Sequence, residues 1–357
     1  MSIFNLCCGN AYIIPFNITI ITIYGCGNII NQKSNPKYGN YVMESFEFES
    51  GRVLENVNVE YVTSGIPQYD ENGNITNAVI YCPTLNGDHA ILPNYHRAIK
   101  DSNFEKDEYY FIRIFSLGTP ESCSPSNTGL RYNFPSYTFK DRINFKRQFL
   151  AEKFKINKVL GLLGEGIGGS EVFTWACEYP DEMEFIILLN SCYKTHGYSY
   201  AISKYIENII DSSEDYYSDS YSPSLSRLFV NLLKLLFMCY FPNKTFKRLN
   251  NDEIDVLMDD YVDDGLFMDI YDFKLRNDCI LGCDLEDKLS NIKAKSLILG
   301  TEGVLFCTPE IDVIPLENKI NNVKVGVFEN NHENYYDEAD NIELLNEIIS
   351  FLNQFKK

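Results

Sequence analysis

The pattern of apolar and polar positions divides most of the chain into short strands and amphipathic helices. Residues 53–63 alternate apolar and polar side chains, which predicts a strand with one buried face. Later runs are apolar at almost every position, which is typical of strands buried on both faces of a parallel sheet. These runs are Ala78–Cys82, Tyr109–Phe115, Lys158–Leu163, Glu184–Leu189, Ser296–Gly300 and Val323–Phe328.

Three segments carry apolar side chains at helical spacing. Residues 138–154 open with Thr138 and with Asp141 three residues later, a start that resembles a capping box. Residues 167–179 place an apolar stripe on one helix face and stop at Pro180, and residues 342–355 close the chain with a similar stripe. Because strands and helices alternate, the sequence predicts an α/β fold with a mostly parallel sheet and helices on both faces.

Two segments interrupt this alternation. Residues 195–290 contain no clear strand and are acidic near 252–272, which predicts a helical insertion acting as a lid or a dimer surface. We expect the acidic run to be a solvated face rather than a metal site. Residues 1–42 hold an apolar run too short to span a bilayer, with no preceding Lys or Arg, followed by a polar linker. We therefore expect 1–42 to be an extension, with Met43 as an alternative start, and 43–194 with 291–357 to form the core.

Charge and cysteine content limit the possible partners and compartment. The 357 residues include 31 Lys and Arg against 50 Asp and Glu, so the formal charge is 31 − 50 = −19. A chain this acidic repels nucleic acid and anionic membranes, and we expect neither as a partner. The 11 cysteines form no CxxC pair and no zinc-like spacing. We expect reduced, mostly buried thiols, a cytoplasmic location, no metal site and no cofactor.

A glycine-rich turn at residues 164–169 joins a predicted strand to a predicted helix. Gly164 and Gly168 match the two glycines of the nucleophile elbow G-x-S-x-G, and Gly166 occupies the position of its serine. The same turn formally matches the phosphate cradle G-x-G-x-x-G, so a nucleotide-dependent activity is an alternative. However, the turn lies in mid-chain, and no acidic residue ends the strand that follows.

Several sequence blocks in the same order resemble homoserine O-acetyltransferase and its α/β-hydrolase relatives. Residues 118–128 (GTPESCSPSNT), Phe134-Pro135 and the Thr138 helix start resemble the segments that precede the elbow in that family. Residues 85–88 resemble its oxyanion loop, and residues 331–333 (Asn-His-Glu) resemble its histidine region. The resemblance covers about residues 44 to 355 and implies the α/β-hydrolase fold with a helical lid.

The resemblance also implies a catalytic set. In that family a serine takes an acyl group from acyl-CoA and passes it to a hydroxyl, with histidine as base and a carboxylate as its orienting partner. His332 corresponds to the base and Glu302 to the acid, although the register could equally place Gly303 there. The backbone N–H groups of Leu85 and Ile167 correspond to the oxyanion hole.

The missing serine separates two expectations about function. We expect a non-catalytic or ligand-binding homologue that takes a small ligand, acyl-CoA or amino-acid-like, and that forms a homodimer through the lid. The alternative is an active acyltransferase or esterase-type hydrolase that uses His332 with a replacement nucleophile or an activated water. Other candidate nucleophiles, namely Ser170, Cys123 and Cys192, are expected to be structural.

Overall fold

Eight strands form one sheet in the order β1-β2-β4-β3-β5-β6-β7-β8. The computed structural model describes residues 36–84, 109–218, 220–241, 243–329 and 342–355. Strand β2 is antiparallel to both of its neighbours, and every pairing from β4 to β8 is parallel. The strands are β1 Lys37–Glu47, β2 Val53–Ser64, β3 Ala78–Cys82, β4 Tyr110–Ile114, β5 Val159–Glu165, β6 Met183–Leu189, β7 Lys295–Thr301 and β8 Val323–Phe328.

Strand β1 starts earlier than the sequence predicts. It begins at Lys37, so residues 37–42, which the sequence assigns to the extension, belong to the sheet and pair with β2. Most of β1 is exposed because it is an edge strand, and Met43 is its first buried residue. An exposed edge strand needs no apolar run, which is why the hydrophobic pattern misses its first half.

Helices cover both faces of the sheet, as predicted. On one face, α2 and α3 contribute Phe145, Phe149 and Val172 to the core, and on the other face α9 contributes Leu345 and Ile348. The helices are α1 Pro125–Thr128, α2 Phe139–Phe149, α3 Ile167–Glu178, α4 Gly197–Asp211, α5 Pro223–Tyr240, α6 Asn243–Phe246, α7 Asn251–Gly265, α8 Ile270–Leu281 and α9 Ile342–Leu352. The Thr138 capping box at the start of α2 is confirmed, with reciprocal bonds to Asp141.

Between β6 and β7 the chain forms the predicted helical insertion, α4 to α8. It has a hydrophobic core of its own, built from residues such as Phe229, Leu232 and Tyr271. The acidic residues of α7 largely face solvent, whereas Asp272 of α8 is buried and accepts a hydrogen bond from the Ser126 amide at 2.9 Å. None of the described helices has the length and apolar character needed to cross a membrane.

Candidate functional site

Strand β5 passes into helix α3 through a single residue, Gly166. Its backbone has φ 51° and ψ −120°, in the positive-φ region that side chains other than glycine rarely adopt. The Gly166 amide donates to the Leu189 carbonyl at the end of β6 with a distance of 3.0 Å. The residue is thus held at the apex of a strand–turn–helix, the arrangement that defines a nucleophile elbow.

The end of β3 lies against this turn. An added Cβ at Gly168 would lie 2.0 Å from the Cys82 carbonyl oxygen, so only glycine fits there. An added Cβ at Gly166 would lie 2.5 Å from the Thr84 hydroxyl oxygen and 3.2 Å from the Thr84 Cβ. The Thr84 side chain therefore occupies the space into which a side chain at the elbow apex would point.

The other predicted site residues are only partly described. Ile167 is the first residue of α3, so its N–H belongs to the helix N-terminus, where the first amides lack intrahelical acceptors. Glu302 lies in the exposed turn after β7, and its amide donates to Phe328 at the end of β8 with a distance of 3.0 Å. Gly166 and Glu302 both follow carboxyl ends of parallel strands, where α/β sheets place their ligands. Leu85 and His332 lie outside the described residues.

The alternative nucleophiles considered from the sequence occupy structural positions. Ser170 is buried in α3, and its hydroxyl donates to the Cys192 carbonyl at 2.7 Å. Burial raises the pKa of the Cys123 thiol to about 12, so this cysteine stays protonated near neutral pH. Hydrogen bonding with Cys307 and burial raise the pKa of Cys192 well above its usual value. These environments do not activate a thiol for attack.

A buried charge cluster supports α3 just behind the turn. Glu171 is fully buried and accepts from Arg142 Nε at 2.6 Å, from Ser116 Oγ at 3.0 Å and from Lys146. Lys146 also contacts the Cys82 thiol at the end of β3 with a distance of 3.4 Å. Burial alone would raise the pKa of Glu171, but the two cations and their hydrogen bonds lower it to about 2. The cluster joins α2, α3 and the ends of β3 and β4.

Sequence patterns single out neither Thr84 nor Glu171. Thr84 stands two residues after the predicted strand 78–82, in Pro83-Thr84-Leu85, which departs from the His-Ala-Leu of the family that the chain resembles, and this departure assigns Thr84 no role. Glu171 reads as one polar position on an otherwise apolar helix, and its partners come from segments that are distant in the chain. Both roles depend on tertiary contacts.

The known proteins that this chain resembles in sequence or fold are acyltransferases and ester hydrolases. The chain is 35% identical over 289 residues to a probable acyltransferase of Methanothermobacter thermautotrophicus, covering 81% of this chain and 89% of that relative. It is 26% identical over 205 residues to a homoserine O-acetyltransferase of Sulfurimonas autotrophica, covering 53% of this chain and 54% of that relative. The crystal structure of an acetylester hydrolase from Corynebacterium glutamicum has a TM-score of 0.72 at 16% identity, over 89% of this chain and 95% of that chain. No protein-family model matches the chain.

These relatives and the sheet order lead to one assignment. The strand order, the elbow geometry after β5 and the insertion between β6 and β7 define an α/β-hydrolase fold. The Methanothermobacter relative, which matches most of the chain, is a probable acyltransferase, and the other two proteins are a homoserine O-acetyltransferase and an acetylester hydrolase. The chain belongs to an acyltransferase family with the α/β-hydrolase fold and is similar to homoserine O-acetyltransferases.

Proposed function

We propose that Gly166 stands at the nucleophile position and that the protein binds an acylated small molecule without forming an acyl-serine there. One observation carries the proposal: Gly166 occupies the elbow apex in a positive-φ conformation, with the Thr84 hydroxyl in the space of its missing side chain. A chain without a nucleophile at that position has no covalent acyl-enzyme route through the elbow. In the serine protease subtilisin, removal of the nucleophile lowers kcat by about 10⁶-fold.

The proposed ligand follows from the names of the relatives. Homoserine O-acetyltransferase and acetylester hydrolase both describe enzymes that handle an acetyl group attached to oxygen. We therefore propose that a small acyl ester binds beside the elbow, at the carboxyl ends of the parallel strands. Acyl-CoA and an amino-acid-like compound are further candidates. The insertion between β6 and β7 would act as a lid over this edge and would supply a homodimer surface.

The Thr84 hydroxyl supports a second candidate, an active acyltransferase or esterase. Its oxygen lies beside the elbow apex, within the reach of a side chain at position 166. In this reaction Thr84 Oγ1 would attack the acyl carbonyl and its proton would pass to His332. The leaving alcohol or thiol would take that proton as its bond to the acyl carbon breaks. Water or an acceptor hydroxyl would then release the acyl group and return the proton to Thr84.

A restoration experiment tests the first candidate. A serine side chain at position 166 would clash with Thr84, so we expect Gly166→Ser alone to gain little esterase activity. Gly166→Ser combined with Thr84→Ala should hydrolyse a chromogenic acetyl ester and should show an acetyl adduct in intact mass. The matched control, Gly166→Ala with Thr84→Ala, removes the same clash without adding a hydroxyl. Acetyl-ester binding to the unchanged protein, followed by calorimetry, is expected without turnover.

The same protein set separates the two candidates. Turnover by the unchanged protein that disappears in Thr84→Val, with an acetyl adduct mapped to Thr84, would establish the second candidate and overturn the first. If the unchanged protein turns over and Thr84→Val keeps the full rate, neither the non-catalytic role nor the threonine nucleophile stands. If the variant with Gly166→Ser and Thr84→Ala folds and gains no activity, the proposal that position 166 is the family's nucleophile position in a ligand-binding pocket is refuted.

A further inference from the structure

Two thiols and a carboxylate from separate segments lie close together at the carboxyl ends of the parallel strands, where the elbow also lies. Cys192 follows β6, and Cys307 and Asp312 follow β7. The Sγ atoms of both cysteines and a carboxylate oxygen of Asp312 all lie within 4.8 Å of one another. Both thiols are free rather than joined in a disulfide, Cys307 and Asp312 are buried, and Cys192 is partly exposed.

The Asp312 carboxylate is oriented by its neighbours. Its Oδ1 lies 2.7 Å from His196 Nε2, and its Oδ2 accepts from the Thr308 amide at 2.7 Å. Each carboxylate oxygen keeps a further lone pair, so these bonds leave the group able to bind a cation. Carboxylates that ligate a metal are usually held in this way by hydrogen-bond donors.

We propose that Cys192, Cys307 and Asp312 form a Zn²⁺ site, with His196 as the residue that orients the carboxylate. Thiolate ligands select zinc over the hard cations calcium and magnesium, which prefer all-oxygen sites. Three protein ligands leave a fourth tetrahedral position for water. The sequence does not reveal this site, because the two cysteines stand 115 positions apart (307 − 192 = 115) and no short motif links them.

The position of the site gives it a structural consequence. The Cys192 carbonyl accepts from Ser170 of α3, while His196 immediately precedes α4, the first helix of the insertion. A bound zinc ion would therefore join the loops after β6 and β7 and fix the base of the insertion beside the elbow helix. The thiols now donate weakly to the carbonyls of Phe306 and Ser191, at 2.9 and 3.7 Å, and metal binding would replace these contacts.

Metal titration of the full chain under reducing conditions tests the proposal. We expect one Zn²⁺ per chain by elemental analysis after desalting, and thiolate-to-metal charge-transfer bands when Co²⁺ replaces it. Cys192→Ser and Cys307→Ser should each lose the bands and the bound ion. Cys283→Ser, which removes a buried free thiol outside the cluster, should keep both.

Two further variants guard against misfolding of the cysteine variants. Asp312→Asn preserves the shape of the side chain and should remove a charged ligand, so Zn²⁺ affinity falls while the Co²⁺–thiolate bands persist. His196→Gln should lower affinity by about 10–100-fold, the usual effect of an orienting residue. The proposal is overturned if the reduced chain binds no Zn²⁺, if Cys192→Ser with Cys307→Ser retains it, or if intact mass shows a disulfide between these cysteines under the same conditions.

Discussion

At the scale of single residues, the geometry of the turn at position 166 depends on the absence of a side chain there. A side chain there would adopt a positive φ of 51° and would also meet the Thr84 hydroxyl at 2.5 Å. Backbone strain of this kind costs about 1–3 kcal/mol for residues other than glycine, before any clash is added. Glycine removes both costs, so it is the residue that this turn accommodates best.

Gly166→Ala should therefore destabilise the protein in urea unfolding by more than the about 1–3 kcal/mol that backbone strain alone costs, because the clash with Thr84 is added. Thr84→Ala should recover part of this loss, because it removes the clash and leaves the strain. Gly73→Ala is the matched control: its φ is 81° and its added Cβ would meet nothing within 4 Å. An equal benefit of Thr84→Ala in both backgrounds would contradict a direct contact between Thr84 and position 166.

At the scale of elements, helix α7 has acidic residues near both ends, although its dipole favours negative charge only at the N-terminus. Asn250 caps its N-terminus in a capping box with Glu253, and Asp252 lies in the favourable first turn. The last turn contains Asp263 and no basic residue. Negative charge opposes the helix dipole at a C-terminus, so this end of α7 is less stable than its start.

Asp263→Lys should raise the free energy of unfolding by about 0.3–1 kcal/mol, since it places a cation at the helix C-terminus. Asp252→Lys makes the same change of net charge at the N-terminus and should destabilise by a similar amount. Thermal unfolding at low ionic strength measures both. If both variants stabilise equally, relief of the −19 net charge explains the effect and the dipole does not.

An element or site residue can be predicted from the sequence when its pattern is local, and cannot when it depends on tertiary contacts. Strands β3 and β8 match the predicted runs residue for residue, because each run is bounded by residues that are rare in strands, Asn77 and Pro83 for β3 and Asn322 and Glu329 for β8. The hydrophobic pattern does not predict the first half of β1, because that half is largely exposed. For the site, the glycine turn was visible as a local motif, whereas Thr84 and the Cys192–Asp312 cluster come together only through the tertiary fold. His332 and Leu85 remain sequence predictions.

At the scale of the whole molecule, the Glu171 cluster connects the pH response of the fold to the support of the elbow. Its pKa in the folded protein, about 2, lies below its ordinary value of 4.5. The native state therefore binds fewer protons than the unfolded state between these values. The resulting stabilisation is present above about pH 4.5 and is lost as the pH falls toward 2.

Glu171→Gln should lower the free energy of unfolding by about 3–5 kcal/mol near neutral pH, because it leaves Arg142 and Lys146 buried without a counter-charge. The variant should also lose the part of the acid dependence that lies between pH 4.5 and 2. Urea titrations across this pH range measure both effects. Asp181→Asn, which breaks an exposed pair with Lys293, should change stability by about 1 kcal/mol or less. A similar loss in both variants would argue against a special role of the buried cluster.

The helix that begins at the elbow also contains the only tryptophan of the chain, Trp175. Its ring is almost completely buried, and its indole N–H donates to Glu182 at 2.8 Å. The red edge of the absorption spectrum excites tryptophan and not the many tyrosines, so the emission selected there comes from α3 alone. The protein thus carries one intrinsic fluorophore on the helix that begins at the elbow, and its emission follows unfolding without any attached label.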